Sequence, residues 1–397
     1  MKIFLKFVWP FLLTLLFVGC TSIYDKKECN FSETKSASSW DDQILDKAFQ
    51  LACNLGTTTL VVVTNGKVVK SLGELDKPLR VHSVRKALLS ALVGQHLGKG
   101  PNQINLDSTL AELNINDKPN PLTTLQNQAK VLHLIKSISG INHHAAAEGG
   151  LMQAEKDKRL GHEPNPPGTV WAYNNWDYNT LTTIFEQETG MTVYEAFKTG
   201  IAAPIGMQDF KKNSVSYEYE KRLSKHPKAG FKLSARDLAK FGQLYLDKGK
   251  WNDRKVIPAA WIERITQDYT VTGDNGPRSA HGYLWWVPVD QQSRGLGIPE
   301  GSFWASGFCK QMVWVIPAWD SVIVHQFDTR PLFACALELI EEGGYSFKEA
   351  IMYINSCKKA ERSSSGFCRR CGWTGNFIDS KNVEKIFSKI IEARIAN

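Results

Sequence analysis

The stretch Val81–Lys99 constrains this chain more than any other. Ser83-Val84-Arg85-Lys86 runs straight into apolar residues at Val84, Ala87, Leu88, Ala91, Leu92 and Leu97, close to helical spacing. Gly98, Gly100 and Pro101 stop that helix. The spacing predicts Ser83 at a helix N-terminus, with Lys86 one turn on and on the same face. A serine hydroxyl is a weak nucleophile until a neighbouring base takes its proton. A lysine one turn away serves if burial and positive neighbours lower its pKa. The unpaired N–H groups of a helix start also suit a developing oxyanion. On its own the tetrad is equally a capping serine beside a solvated lysine, so the rest of the chain has to decide.

Residues 1–19 carry Lys2 and Lys6 and then an apolar run from Phe7 to Val18, the form of a secretory signal. The run is too short for a membrane span. It ends Phe17-Val18-Gly19-Cys20, which resembles a bacterial lipobox with Phe in place of Leu. Cys20 is then the lipidated first residue of an exported, membrane-anchored lipoprotein of the bacterial cell envelope, facing the periplasm or the cell surface. The alternative is an ordinary cleaved signal. Polar, Ser-rich residues 20–39 read as a tether.

With 397 residues, 43% of them hydrophobic, the chain has enough apolar material for one large domain or two lobes. The net charge of +8 is scattered, with no basic cluster interleaved with aromatics, which argues against a nucleic-acid partner. Seven cysteines remain beyond Cys20, and an oxidising compartment permits disulfides. Cys368-Arg-Arg-Cys371 reads as a disulfide rather than a zinc half-site, because only Cys357 offers a third ligand. The odd count leaves at least one free thiol.

Trp40–Leu55 has helical periodicity, and Asn65-Gly66 joins the β-branched run Thr57–Val63 to Lys67–Leu72 as a hairpin. Tyr178–Gly190 is helical. Ser234 with Asp237 forms the start of another helix, and Pro258 opens a third. Strands return at Gly282–Val287, Gln311–Ile316 and Ser321–Phe327, and Leu332–Glu342 reads as a closing helix. This order predicts an α/β (α+β) fold. A discontinuous α/β lobe, about 40–100 and 230–345, carries an inserted all-α lobe, about 101–229. Residues 346–397 are set apart as an extension without assigned chemistry.

From about Asp41 to Phe327 the chain resembles the serine β-lactamase-related superfamily of penicillin-recognising enzymes, especially its class C-like branch, which includes esterases, D-aminopeptidases and 6-aminohexanoate-dimer hydrolases. Ser83-Val84-Arg85-Lys86 matches the first motif and Tyr173-Asn174-Asn175 the family's Y-x-N. Pro167-Gly168-Thr169 looks like the lead-in to the latter, Ser137–Ile141 like the family's HTSGI turn, and Phe231–Gly249 like its conserved-form helix. The third motif departs: where the family has K-T-G or H-x-G, this chain has Ala305-Ser306-Gly307, without a cation.

The resemblance implies a β-lactamase/transpeptidase-like fold, with an antiparallel sheet flanked by helices. It implies that Ser83 attacks an acyl carbonyl, that a neutral Lys86 is the base, and that Tyr173 relays the proton with a depressed pKa. Asn175 would orient Lys86 and contact substrate. The backbone N–H groups of Ser83 and Phe308 would form the oxyanion hole, and Ala305, Ser306 and Gly307 would line the substrate. No metal or organic cofactor is required. The expected substrate is a small amide, ester or peptide. A β-lactamase or D-alanyl-D-alanine carboxypeptidase is the alternative enzyme, and a non-catalytic ligand-binding relative the alternative class. His82, His143 and His144 read as structural or substrate-lining, and Trp285 and Trp286 as core or cleft wall.

Overall fold

The computed structural model describes residues 29, 31–33, 39–148, 150–345, 347–356 and 380–394. The expected signal segment, Cys20 and the Cys357, Cys368 and Cys371 group lie outside the described residues.

Three apolar runs near the two ends of the sequence build the centre of one antiparallel sheet. Thr59–Thr64 and Lys67–Leu72 pair through the predicted two-residue turn, in which Asn65 and Gly66 both have positive φ, 51° and 70°. Ser321–Gln326 pairs with Thr59–Thr64, and Gln311–Ile316 pairs beyond it. The full sheet has nine strands in the spatial order Phe31–Glu33, Lys67–Leu72, Thr59–Thr64, Ser321–Gln326, Gln311–Ile316, Phe303–Gly307, Trp285–Val287, Ala280–Gly282, Thr270–Val271. Its central strands are buried along nearly their whole length, so they read as continuous hydrophobic runs rather than alternating ones.

Alternation decides which core each residue enters. Val61, Val63, Val313, Val315, Val322 and Val324 face one core; Leu60, Val62, Trp314, Ile316 and Ile323 face the other. The first core is closed by the helix Ala235–Leu246, started by Ser234, whose hydroxyl accepts from Asp237 N. Gly242 lets this helix touch the sheet: a Cβ there would lie 2.4 Å from Val322 Cγ1. The helical lobe adds Asn175–Thr189 and Val193–Phe197 to the same core.

The second core is closed by Asp42–Asn54 and by the last helix, Ser380–Glu392. The sequence reading set 346–397 apart from the domain. The structure instead buries Val383, Ile386, Phe387 and Ile390 of that stretch against the sheet, with the Phe387 ring 5.1 Å from Trp314. The two ends meet: Asp41 N donates to Ala393 O, and Arg394 donates to Ser39 O. Nothing in local periodicity says what a terminal amphipathic helix covers; the exposed outer face of the sheet supplies the reason.

Cys29 and Cys53 form a disulfide that ties the chain before Asp42 to the first helix, across a separation of 24 residues. Cys309 is free and buried. Closing a loop of this length is worth about 3 kcal/mol in the chain-entropy account. The Cys29→Ser, Cys53→Ser double variant is therefore expected to unfold at clearly lower denaturant concentration, with activity retained. An unchanged midpoint would show that the native state gains nothing from the link.

A second, three-stranded sheet of Val215–Glu218, Lys228–Leu233 and Leu79–Arg80 leads the chain towards Ser83, with Val81 N donating to Phe231 O at 3.1 Å.

Candidate active site

After Arg80 the chain turns sharply: His82 has φ 47°, and His82–Val84 forms a single 3-10 turn. The α-helix proper spans Arg85–Gln95. Ser83 thus sits two residues before the helix it was expected to begin, and the helix stops at Gln95, ahead of Gly98 and Gly100. Its side chains from Arg85 to Val93 are all buried, so it is a central helix rather than an amphipathic one. The polar positions on its far side meet the helical lobe instead of water.

His82 is a wall and not a base. Its ring stacks on Phe333 with centroids 5.8 Å apart, meets Phe308 edge-on at 5.5 Å, and shares a 2.9 Å hydrogen bond with Thr329 Oγ1. Burial lowers its pKa to about 3, which keeps it neutral.

The helical spacing brings Lys86 Nζ to 2.8 Å from Ser83 Oγ, and Lys86 is also hydrogen-bonded to the Tyr173 hydroxyl. Lys86 is 2% exposed. Burial pushes its pKa well below the usual lysine value, and the charges of Arg85 and Lys228 push the same way. A neutral amine with a free lone pair, in contact with a serine hydroxyl, is the state a general base needs. Arg85 is buried and donates to Asn179 Oδ1 at 2.7 Å, so the second cation of the tetrad is held inside the protein beside Lys86.

Tyr173 is placed by the segment before the helix Asn175–Thr189. Asn174 caps that helix, accepting from Trp176 N at 3.1 Å. The Ser137–Ile141 turn anchors it from the other side: Ser137 Oγ pairs with Tyr178 OH at 2.8 Å, and Ser139 Oγ donates to Asp177 Oδ1 at 2.7 Å. A depressed phenol pKa was expected. The structure gives the opposite: burial raises it, and Ser83, Arg85 and Arg278 offset this only in part. The physical reason is that the phenol is fully desolvated, which outweighs its lowering partners. Tyr173 therefore holds its proton and is available as a donor.

Asn175 lies on the same helix start. Its Nδ2 donates to Ala147 O at 3.0 Å, and its Oδ1 is buried without a hydrogen-bond partner among the described residues. Its Nδ2 serves the 145–148 segment, and among the described residues it makes no hydrogen bond to Lys86.

The strand Phe303–Gly307 carries the third-motif residues. It lies inside the sheet, but its only pair with Trp285–Val287 is Trp304 with Trp286, so Ala305–Gly307 are unpaired on that side. Gly307 abuts the nucleophile turn: a Cβ there would lie 2.5 Å from Val81 O and 3.0 Å from Ser83 N. This approach brings the strand end that leads into Phe308 against the Ser83 turn, the two segments whose backbone N–H groups were expected to receive an oxyanion. Ala305 is buried, and Ser306 is partly exposed at the open edge. Gly307→Ala would force this strand end away from Ser83. Since misplacement near 1 Å can cost roughly 100-fold in rate, it is expected to slow labelling of Ser83 by a fluorophosphonate at least ~10-fold. An unchanged labelling rate would remove Phe308 from the oxyanion role.

Trp285 and Trp286 were read as core or cleft wall, and the structure gives one role to each. Trp286 stacks on Tyr173 at 5.7 Å and 11°, and Trp171 and His281 meet Trp286 edge-on. Trp285, one residue away, points into the first core against Tyr245 at 4.6 Å. The expected strand Gly282–Val287 is in fact a hairpin, Ala280–Gly282 and Trp285–Val287, turned by Tyr283 and Leu284 with φ of 49° and 73°. A turn of this kind normally announces itself with Asn or Gly, and here it does not. His143 is structural: it pairs with Asp117, which also accepts from Trp176 and Ser224. His144 lies 3.6 Å from buried Glu148, the partner of Lys156.

Two curated relatives and two solved structures bear comparison with this geometry. The chain is 24% identical to an uncharacterised protein of Alkalihalophilus pseudofirmus over 64% of its own length and 74% of the relative's. It is 24% identical to the 6-aminohexanoate-dimer hydrolase of Paenarthrobacter ureafaciens over 61% of its own length and 64% of that enzyme's. The octameric penicillin-binding protein homologue of Pyrococcus abyssi superposes with a TM-score of 0.53 at 16% identity, covering 80% of this chain and 82% of that one. A penicillin-binding protein homologue of Caulobacter crescentus gives 0.54 at 14% identity, covering 75% and 94%. These structures share the fold: a large antiparallel sheet flanked by helices. Residues 47–332, well over half of the chain, match the family described as Beta-lactamase, and the chain belongs to that family.

Proposed function

We propose that this protein is a serine hydrolase that cleaves a small amide or ester through an acyl-enzyme on Ser83. The observation that carries this reading is the buried Lys86 Nζ, 2.8 Å from Ser83 Oγ and bonded to the Tyr173 hydroxyl. Lys86 takes the Ser83 proton as Oγ bonds to the acyl carbon. The carbonyl oxygen becomes an oxyanion held by the N–H groups of Ser83 and Phe308. Collapse breaks the bond to the leaving group, which takes its proton from Tyr173, and Tyr173 recovers one from protonated Lys86. Water, deprotonated over the same route, then releases the acid and restores Ser83.

The hydrolase name of one relative supports the amide half of this reading. The penicillin-binding homologues favour a second reading, a β-lactamase or D-alanyl-D-alanine carboxypeptidase. Ala305, where the family's strand has a cation, weighs against it. Labelling separates the readings. A fluorophosphonate adduct without a fluorescent-penicillin adduct supports the amidase or esterase. A penicillin adduct supports the second. Neither adduct in folded protein would mean a ligand-binding relative without catalysis. Export to the envelope, with lipidation at Cys20 as the membrane attachment, belongs to the same proposal; the Cys29–Cys53 disulfide supports an oxidising compartment.

A further inference from the structure

A second cleft, of about 600 Å³, lies at the end of the Arg85–Gln95 helix away from Ser83. The rise of an α-helix from Lys86 to Gln95 is ~14 Å, so this cleft is separate from the catalytic centre. Gln95 ties its walls together: Nε2 donates to Gly200 O at 2.8 Å and to Val256 O at 2.7 Å. Gln95 Oε1 is buried and has no hydrogen-bond partner among the described residues. Buried Val256 and Ile257 give the cleft an apolar patch. Lys248, Lys250 and Lys255 also line it, and among the described residues no acidic side chain does. All three lysines are exposed, and none makes an ion pair among the described residues. Lys250 and Lys255 stand directly opposite each other in a two-stranded hairpin turned by Asn252 and Asp253, with φ of 46° and 63°. Like charges at opposed positions destabilise such a pair, and an anion between them removes the cost. The last wall is the start of the helix Ala259–Gln267. Its cap, Pro258, offers no side-chain acceptor, and its first turn has no acidic residue. The amides of Ala259 and Ala260, residues that line the cleft, add donors and the positive end of a helix dipole.

We propose that this cleft binds an organic phosphate, with its phosphoryl group on Lys248, Lys250, Lys255 and the Ala259 helix start, and its organic part on the Val256–Ile257 patch. The charge decides for phosphate. Three ammonium groups and a helix start exceed what one carboxylate neutralises, and they match a group with about two negative charges and three acceptor oxygens. Lysine binds phosphate as a point charge, whereas planar carboxylate recognition favours the arginine fork. The volume decides for an organic ligand, since small-molecule sites span roughly 300–1,000 Å³ and pair an apolar surface with a few polar groups. Gln95 Oε1 supplies an acceptor for a hydroxyl or amine of that ligand. The site stands apart from the serine-hydrolase reading, because none of these residues takes part in acylation of Ser83.

The test titrates the full chain with phenyl phosphate, benzoate and inorganic phosphate by calorimetry. Phenyl phosphate should bind roughly 10-fold or more tighter than benzoate, the scale of one further charge-assisted hydrogen bond, and tighter than inorganic phosphate. The Lys250→Gln, Lys255→Gln double variant should erase that preference. This variant removes an opposed pair of like charges, so it should unfold at no lower denaturant concentration than the wild type. Phenyl phosphate should raise the unfolding midpoint of the wild type and leave that of the variant in place. Ser83→Ala protein should bind phenyl phosphate as the wild type does. Equal affinities for phenyl phosphate and benzoate, a preference that survives the double variant, or inorganic phosphate binding as tightly as phenyl phosphate would overturn the proposal. Loss of binding in Ser83→Ala would put the phosphate in the catalytic centre and overturn it as well. Binding to phosphatidylglycerol vesicles without binding to soluble phenyl phosphate would give the lysines to a membrane surface and reject the cleft.

Discussion

Ser83→Ala is expected to abolish the fluorophosphonate adduct seen by intact mass and to lower kcat by roughly 10⁴-fold or more, the scale found when the nucleophile of a serine hydrolase is removed. The effect is large because, among the described residues, Ser83 and Tyr173 are the hydroxyls bonded to Lys86. Ser83 is the hydroxyl next to the buried amine of Lys86 and beside the Gly307 strand end. The Tyr173 hydroxyl also touches Lys86, but burial keeps its proton on. The fold should persist, since Ser83 is partly exposed and its side chain supports no core contact. An adduct of the same mass in Ser83→Ala would assign the nucleophile elsewhere. Loss of activity in a variant that no longer folds would be recognised by its far-ultraviolet spectrum, and Ser83→Cys, which keeps a nucleophile, should then recover labelling by a thiol-reactive acyl donor.

Lys86→Met is expected to remove turnover to a similar degree and, at neutral pH, to make the protein more stable. The activity side follows from losing the base. The stability side follows from linkage. Lys86 in the folded protein has a pKa well below that of an unfolded lysine, about 10.4, so between those two values the unfolded chain binds more protons than the native one. Stability therefore rises with pH across that window, and below its upper end the wild-type protein bears the cost of keeping Lys86 out of water. A methionine of similar length fills the site without that cost. Denaturant titrations of both proteins at several pH values check this. The variant should lead at pH 7, and its lead should shrink as pH approaches 10. A variant less stable at every pH would mean that the hydrogen bonds of Lys86 to Ser83 and Tyr173 outweigh its desolvation. In the wild type, kcat/KM should rise with pH through the native pKa of Lys86, because the neutral amine is the active form. A rate that falls across that range would assign the active form to the ammonium.

The local chemistry of the site was legible in one dimension. Ser83 and Lys86 meet because three residues of helical turn bring them together, and that spacing is written in the chain. The Asn65-Gly66 hairpin and the Ser234 cap were legible for the same reason: each is a local hydrogen-bonding or φ preference carried by one or two residues. The helix after Tyr173 was read from Tyr178, whereas the Asn174 cap starts it at Asn175. Tyr173 and Phe308 were assigned to the site through the resemblance to a family, because no periodicity connects them to Ser83.

What only the tertiary structure decided is where burial falls. The Arg85–Gln95 helix has an amphipathic pattern in sequence, yet both of its faces are covered, and this burial lowers the Lys86 pKa and encloses Arg85. The direction of the Tyr173 pKa reversed with it, since burial of the phenol outweighs the Ser83 hydrogen bond and the charges of Arg85 and Arg278. The separation of Trp286 from Trp285 and the use of the last helix to cover the sheet both depend on pairings between residues far apart in the chain. Sequence by itself determined which groups stand one turn or one hairpin apart, because those distances are fixed by backbone geometry. The desolvation that sets their chemistry comes from residues tens to hundreds of positions away, and only the folded chain brings those into contact.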